Sequence, residues 1–252
     1  MGFIYGLVAK VLTPQEVNRD AFIKNFSSLW KCKEDVSIKE IAQNRFWVRF
    51  VCDRDRCQVL DTEPWAYRRS LVLLAETPDD GSIHVVPLRY GTFWVQLHGI
   101  PGFCMTVAVA QAVGAIFGEV LWVDNRDGDD CVGRFIRIRA YFDVDLPLIY
   151  RTLVTLPDIG EKLIEFKYEY LPEYCFACGR LGHSTQVCVR AYEEVHVHNG
   201  ICMIGSRYQP ARKTYQDFGS LVPPRLYHIP AVAPIYHQVM GHSTRSTVAV
   251  KS

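Results

Sequence analysis

Four residues near position 180 have the types and spacing of a metal site. The string CFACGRLGHSTQVC places Cys175, Cys178, His183 and Cys188 as C-x2-C-x4-H-x4-C. Two cysteines three apart reach one ion from a single tight turn. An imidazole and a third thiolate complete a tetrahedron, with Zn–S of ~2.3 Å and Zn–N of ~2.0 Å. Soft thiolates and four-fold geometry select zinc over magnesium or calcium. Gly179 and Gly182 stand where the backbone must curl around the sulfurs and bend again before the histidine. Four protein ligands leave no coordination position open, so the expected ion is one structural zinc with no hydrolytic role.

Other clusters read less like sites. Asp124, Asp127, Asp129 and Asp130 surround Gly128, but Arg126 and Gly128 interrupt the alternating oxygen ligands of a calcium loop, which leaves a solvated hairpin turn. His196, His198 and Cys202 offer three ligands without the glycines of a second knuckle. No Gly-rich phosphate loop, nucleophile elbow or carboxylate pair is present, and Cys104 with His98 lacks an orienting third group. The chain is therefore not expected to be an enzyme or to take a small-molecule substrate.

Composition sets further bounds. The 252 residues are 49% hydrophobic and 22% charged, enough apolar material for folded cores over most of the length. The net charge of +1 argues against a broadly basic surface, so any affinity for nucleic acid must come from local patches. Of nine cysteines, three fall within the motif and the rest are scattered, unlike a disulfide framework. A reducing, intracellular compartment is expected, nucleus or cytoplasm. The apolar start from Met1 to Leu12 is broken by Lys10 and is too short to span a bilayer. Gly6 stands where a myristoylation signal needs Ser or Thr, so no membrane role is expected.

The elements that position the motif follow from periodicity. Leu7 to Leu12 reads as a buried strand, and Phe22, Ile23, Phe26 and Trp30 recur at helical spacing after a cap at Asn18 or Asp20. Val36, Ile38 and Ile41 mark a strand, Asn44 a turn, and Phe46, Val48 and Phe50 a second strand. Asp53 to Leu60 fits a helix, and Arg69 to Glu76 a strand before Pro78-Asp79-Asp80-Gly81. The resulting β-α-β-β-α-β order predicts an α+β, split-βαβ domain over 1–80, of the RRM or ferredoxin-like kind. A second α+β block is expected over 90–171. It comprises a strand at Phe93–Leu97, a helix capped by Thr106, a strand at Glu119–Val123, a long strand over Arg134–Val144 and a closing hairpin. The knuckle occupies 172–190. The Pro-, Ser-, Thr- and His-rich remainder, 191–252, is expected to be largely disordered.

On the first domain, Trp47-Val48-Arg49-Phe50 echoes the ending of an RNA-recognition strand. Phe46, Val48 and Phe50 would face the helices, leaving Arg45, Trp47 and Arg49 on the open sheet face, where a ring between two guanidiniums suits base stacking. The alternative is that Trp47 is core under the second block or the tail. Val8 replaces the second stacking aromatic of that motif, and its glycine is missing. For Arg134, Arg137 and Arg139 the plain reading is a solvated strand face.

The motif resembles the retroviral-type zinc knuckle, C-[FY]-x-C-G-x-x-G-H-x4-C. That resemblance implies that Phe176 stacks on an unpaired base and Arg180 contacts phosphate or base. Ser184, Thr185 and Gln186 are neutral where many relatives carry a basic residue. Further matches precede residue 190. They include Leu7 to Leu12, Asn44 to Phe50, Pro64-Trp65, Phe93 to Pro101, Gly118-Glu119-Val120, Gly133-Arg134-Phe135 and Phe166 to Pro172. Together they resemble the gag-like proteins of plant non-LTR retroelements, in which a domain of unknown function precedes a CCHC knuckle. The resemblance implies a zinc-dependent protein that binds single-stranded nucleic acid, RNA in preference to DNA, and that can self-associate. It also implies a fragment or solitary descendant of such an element, because no polymerase sequence follows. Two other readings stand beside it: an interaction module with the knuckle as a structural staple, and a degenerate copy with no retained activity.

Overall fold

The computed structural model describes residues 5–125, 128–156 and 158–189, together with a two-residue strand at 202–203. That strand falls within the 191–252 tail expected to be disordered; the rest of the tail, with His196 and His198, lies outside the described residues, as do Arg126 and Asp127 of the acidic turn.

Two antiparallel sheets with few helices make the chain α+β. The first contains β1 (Tyr5–Val11), β2 (Val36–Ala42), β3 (Arg45–Phe50), β4 (Trp65–Tyr67) and β5 (Ser70–Glu76), in the order β2-β3-β1-β5-β4. Helices α1 (Arg19–Leu29) and α2 (Asp53–Asp61) join its strands. Asn18 caps α1 by accepting the Ala21 N–H at 2.9 Å. The alternation in β3 resolves as expected: Phe46, Val48 and Phe50 are fully buried. Phe46 stacks on Phe22 of α1 at 3.9 Å between ring centroids. These residues, with Phe26, Trp30 and Val59, form one core. Asn44 turns β2 into β3 at φ 58°, and its side-chain oxygen accepts the Val17 N–H at 2.8 Å, which ties the β1–α1 loop to the hairpin.

Strand β4 was not expected. It is three residues long, too short to show a period, and pairs with the first three residues of β5.

The second sheet contains β6 (Tyr90–His98), β7 (Gly118–Val123), β8 (Ile136–Asp143), β9 (Ile149–Leu156), β10 (Gly160–Tyr168) and β11 (Cys202–Met203), in the order β11-β9-β10-β6-β8-β7. Helix α3 (Val107–Gly114), capped by Thr106, packs on it. The apolar spacing predicts a helix from Val107 to Phe117, and the helix is shorter, ending at Gly114. Phe93, Val95, Leu97, Ile136, Ile138 and Phe166 are the centre of its core. Leu71 and Leu73 of β5 belong to that second core rather than to the first. The two sheets therefore share a wall: β5 is apolar on both faces, one for each core.

The arginines of β8 do not form a free solvated face. Arg137 pairs with Glu169 at 2.8 Å and Asp124 at 3.3 Å and lies 3.8 Å over the Trp94 ring. Arg139 donates to the Leu60 carbonyl of α2 at 2.9 Å, linking the two sheets. Among the described residues, no helix is long and apolar enough to cross a membrane.

Candidate metal centre and nucleic-acid interface

The strand β10 ends at Tyr168, and the chain turns at Tyr170 (φ 52°) into the segment that carries the four motif residues. Tyr174 bridges to Leu181, closing a small loop, and within it the Cys175 N–H donates to the Arg180 carbonyl at 2.8 Å. The Gly179 N–H returns to the Cys175 carbonyl at 2.8 Å. Gly179 and Gly182 adopt φ of 72° and 88°, the left-handed region that the sequence reading required at both bends. A short 3-10 turn, Thr185–Val187, delivers Cys188.

These turns bring Cys175, Cys178, His183 and Cys188 together, with one ligand atom from each all within 4.8 Å of one another. The Cys178 Sγ and His183 Nε2 are 3.3 Å apart. A zinc tetrahedron has an S–N edge of about 3.5 Å and an S–S edge of about 3.8 Å for ordinary bond lengths, so the donor set fits the ion in type and in scale. Cys175 and Cys178 are buried, His183 and Cys188 half-buried. Burial pushes both inner thiols up, and Cys178 lies at about 11. In Cys175 the N–H groups of Cys178 and Ala177 outweigh burial and hold the thiol below its ordinary value. Backbone amides thus point at sulfur, as a thiolate ligand requires. The eight cysteines among the fully described residues are free thiols.

Phe176, between the two inner cysteines, is 38% exposed, and its N–H is held by Thr185 Oγ1 at 2.9 Å. Its ring meets that of Tyr174, half-buried against the second core, at 4.7 Å between centroids. Tyr174 was missed at the sequence level because it precedes the motif. Arg180 is half-buried and donates its Nε–H to the Asp145 carbonyl at 2.8 Å. It anchors the knuckle to the β8–β9 loop.

That anchoring is extensive. The Gly179 carbonyl accepts the Leu148 N–H at 2.8 Å, and Leu181 is buried in the second core. A Cβ on Gly182 would lie 2.8 Å from Cγ of Leu12, which follows β1. The Glu173 N–H donates to the Arg69 carbonyl of the first sheet at 2.9 Å. The knuckle is wedged against both sheets.

The second residue set nominated from sequence, Arg45, Trp47 and Arg49 on β3, is half-buried. Arg45 donates to the carbonyls of Val86 and, at 3.3 Å, Ile83 in the segment between the sheets. Burial lowers its pKa. Arg49 lies 4.7 Å over the Trp47 ring and donates to Ser37 Oγ at 2.9 Å. Among the described residues, the buried indole Nε1 has no hydrogen-bond partner.

Comparison with known proteins gives the class of protein first. Residues 142–190 match the family described as Zinc knuckle, a match that begins at the end of β8 and takes in the β9–β10 hairpin. Residues 4–80 match the Domain of unknown function (DUF4283), which covers the whole first sheet. A domain of unknown function followed by a CCHC knuckle is the architecture of the plant gag-like family that the sequence resembles. An Arabidopsis thaliana relative, described as uncharacterized protein At4g02000, is 30% identical over 144 residues, 56% of this chain and 45% of the relative. The chain thus spans less than half the length of that relative.

Proposed function

We propose that this chain binds single-stranded nucleic acid, RNA in preference to DNA, through a knuckle organised by one structural zinc ion. The observation that carries this reading is the half-exposed Phe176 ring, joined to Tyr174 on a loop whose four ligands are already gathered. Unpaired bases present stackable faces, and single-stranded segments are the usual targets of aromatic platforms. Zinc, when bound, supplies charge neutralisation for the thiolates and rigidity for the loop, and it has no open position for catalysis. The protein is read as non-catalytic, gag-like and resident where thiols stay reduced. The first sheet, with β1 central and α1 and α2 joining its strands, is read as an RRM-like unit with β4 added at one edge.

Filter binding of a single-stranded oligonucleotide tests the reading, with and without a zinc chelator. Retention is expected to fall on chelation, and Phe176→Ala to weaken binding by ~1–3 kcal/mol with zinc content unchanged. Equal retention with and without chelator overturns it.

A second reading has its own support. The net charge of +1 and the wedging of Leu181 and Gly182 against both sheets favour a self-association or protein-interaction module, with the metal as a staple. Self-association that survives nuclease and is insensitive to salt would select it.

A further inference from the structure

The knuckle has few cations of its own to offer a phosphate. Arg180 spends its Nε–H on Asp145, and Ser184, Thr185 and Gln186 are neutral. Stacking rings without a charge beside them make half a single-strand site, because such sites pair an aromatic platform with a basic track along the backbone.

The charge lies on another element. Strands β4 and β5 are joined by the two-residue turn Arg68-Arg69, with Tyr67 paired to Ser70. The carbonyl of Arg69 accepts the Glu173 N–H at 2.9 Å, one residue ahead of Tyr174. From Glu173 to Phe176 the chain spans at most about 11 Å. Both arginines are exposed, and the side chain of Arg69 is 80% exposed. A turn carrying two exposed arginines is thus tied by its backbone to the residue that precedes the ring pair.

The turn itself is unfavourable for these residues. Arg68 and Arg69 have φ of 46° and 71°, the left-handed pair of a type I′ hairpin, where Asn-Gly is the preferred sequence. A side chain with a Cβ is strained at both positions. Packing does not demand the arginines. Arg68 lies 5.5 Å over the Tyr67 ring, and Arg69 faces the Glu173 carboxylate at 4.0 Å in an exposed pair that water screens. Strain kept at exposed charged positions is an outlier that asks for a function.

We infer that Arg68 and Arg69 are the phosphate-binding half of a composite single-strand site whose stacking half is Tyr174 and Phe176. The inference rests on the single-strand reading above and adds the first sheet to the interface. It also accounts for how a chain of near-neutral charge grips a polyanion: two guanidiniums are placed where the bases stack.

The test is fluorescence anisotropy of a labelled oligouridylate with the zinc-loaded full chain, across about 50 to 200 mM salt. Arg68→Asn combined with Arg69→Gly removes both charges and installs the residues the turn prefers, so the thermal midpoint holds or rises and zinc content is unchanged. Affinity is expected to fall by about tenfold, and the slope of log K against log salt to become shallower by about 1.4, two contacts at ~0.7 each. Lysine at both positions restores the slope. If the Asn-Gly variant keeps wild-type affinity and slope while Phe176→Ala weakens binding, the composite site is overturned and the knuckle reading stands. Absence of binding by the wild-type chain overturns both.

Discussion

Two regions of this chain place an aromatic ring near guanidinium groups, and the fold treats them differently. On β3, Trp47 stands between Arg45 and Arg49, and the segment linking the sheets returns to take the Arg45 donors with its carbonyls. On the knuckle, Arg180 is also spent on a carbonyl, while Phe176 keeps 38% of its surface exposed beside Tyr174. A guanidinium carries five N–H donors, and wherever it is partly buried the chain must supply acceptors. Alternating aromatic and basic residues therefore act as mortar between elements where another segment returns to take their donors, as it does at Arg45. The Arg68-Arg69 turn is the converse case, with its side chains left in water.

The sharpest way to separate the two regions is to remove the metal ligand that only one of them depends on. Cys178→Ser should abolish zinc retention, a loss on the scale of the ~10–16 kcal/mol apparent binding energy of structural sites in finger peptides. Hydrogen exchange is expected to show loss of protection over 172–188, with α1, β1 and β3 still protected, because Phe22, Phe26, Phe46 and Phe50 form a core of their own. Leu181 leaves the second core in this variant, so β9 and β10 should loosen as well. Protection identical to the wild type across 172–188 would show that the loop folds without its metal.

How much of this was legible in advance depended on whether the signal was local. The four ligands, the two knuckle glycines, the Asn18 cap and the alternation of Phe46, Val48 and Phe50 are all set by near neighbours, and each appears where the sequence placed it. The fate of Arg45 was not local. It depends on Ile83 and Val86, some forty residues away in a stretch with no period. Leu71 and Leu73 pointed to a buried strand but gave no hint that they serve the second core. The β4–β5 hairpin left one trace, a two-residue gap between Tyr67 and Ser70, which Arg-Arg disguised because Asn-Gly is the usual marker of such turns.

The contact between the sheets has a titration of its own. Glu63 follows α2, is 8% exposed, and bonds Thr92 on β6 close to Arg139. Burial pushes its carboxyl up to about 7, against the opposing pull of Thr92 and Arg139. The folded state therefore holds a proton that the unfolded chain releases near the ordinary 4.5. Stability from this group is greatest below that value, declines as pH rises toward 7, and is level above it. The decline amounts to about 3 kcal/mol at most. Glu63→Gln keeps the hydrogen bond without the charge, so its denaturation midpoint should lose this slope between about pH 4.5 and 7. An unchanged slope in the variant would assign the titration to other groups.

The smallest effect closes the comparison directly. Trp47→Ala removes a half-buried ring that carries Arg49 on one side and lies against Gly6 on the other. If the ring is mortar, folding stability falls by about 0.5–3 kcal/mol, the ordinary range for a packed residue, and oligonucleotide affinity at fixed salt is unchanged. Phe176→Ala should do the reverse, because its ring is 38% exposed and the four ligands and the Thr185 hydroxyl on its N–H define the loop around it. Thermal unfolding and anisotropy on the same two variants make a crossed test. A loss of affinity in Trp47→Ala equal to that in Phe176→Ala would overturn the contrast and bring the β3 face into the interface.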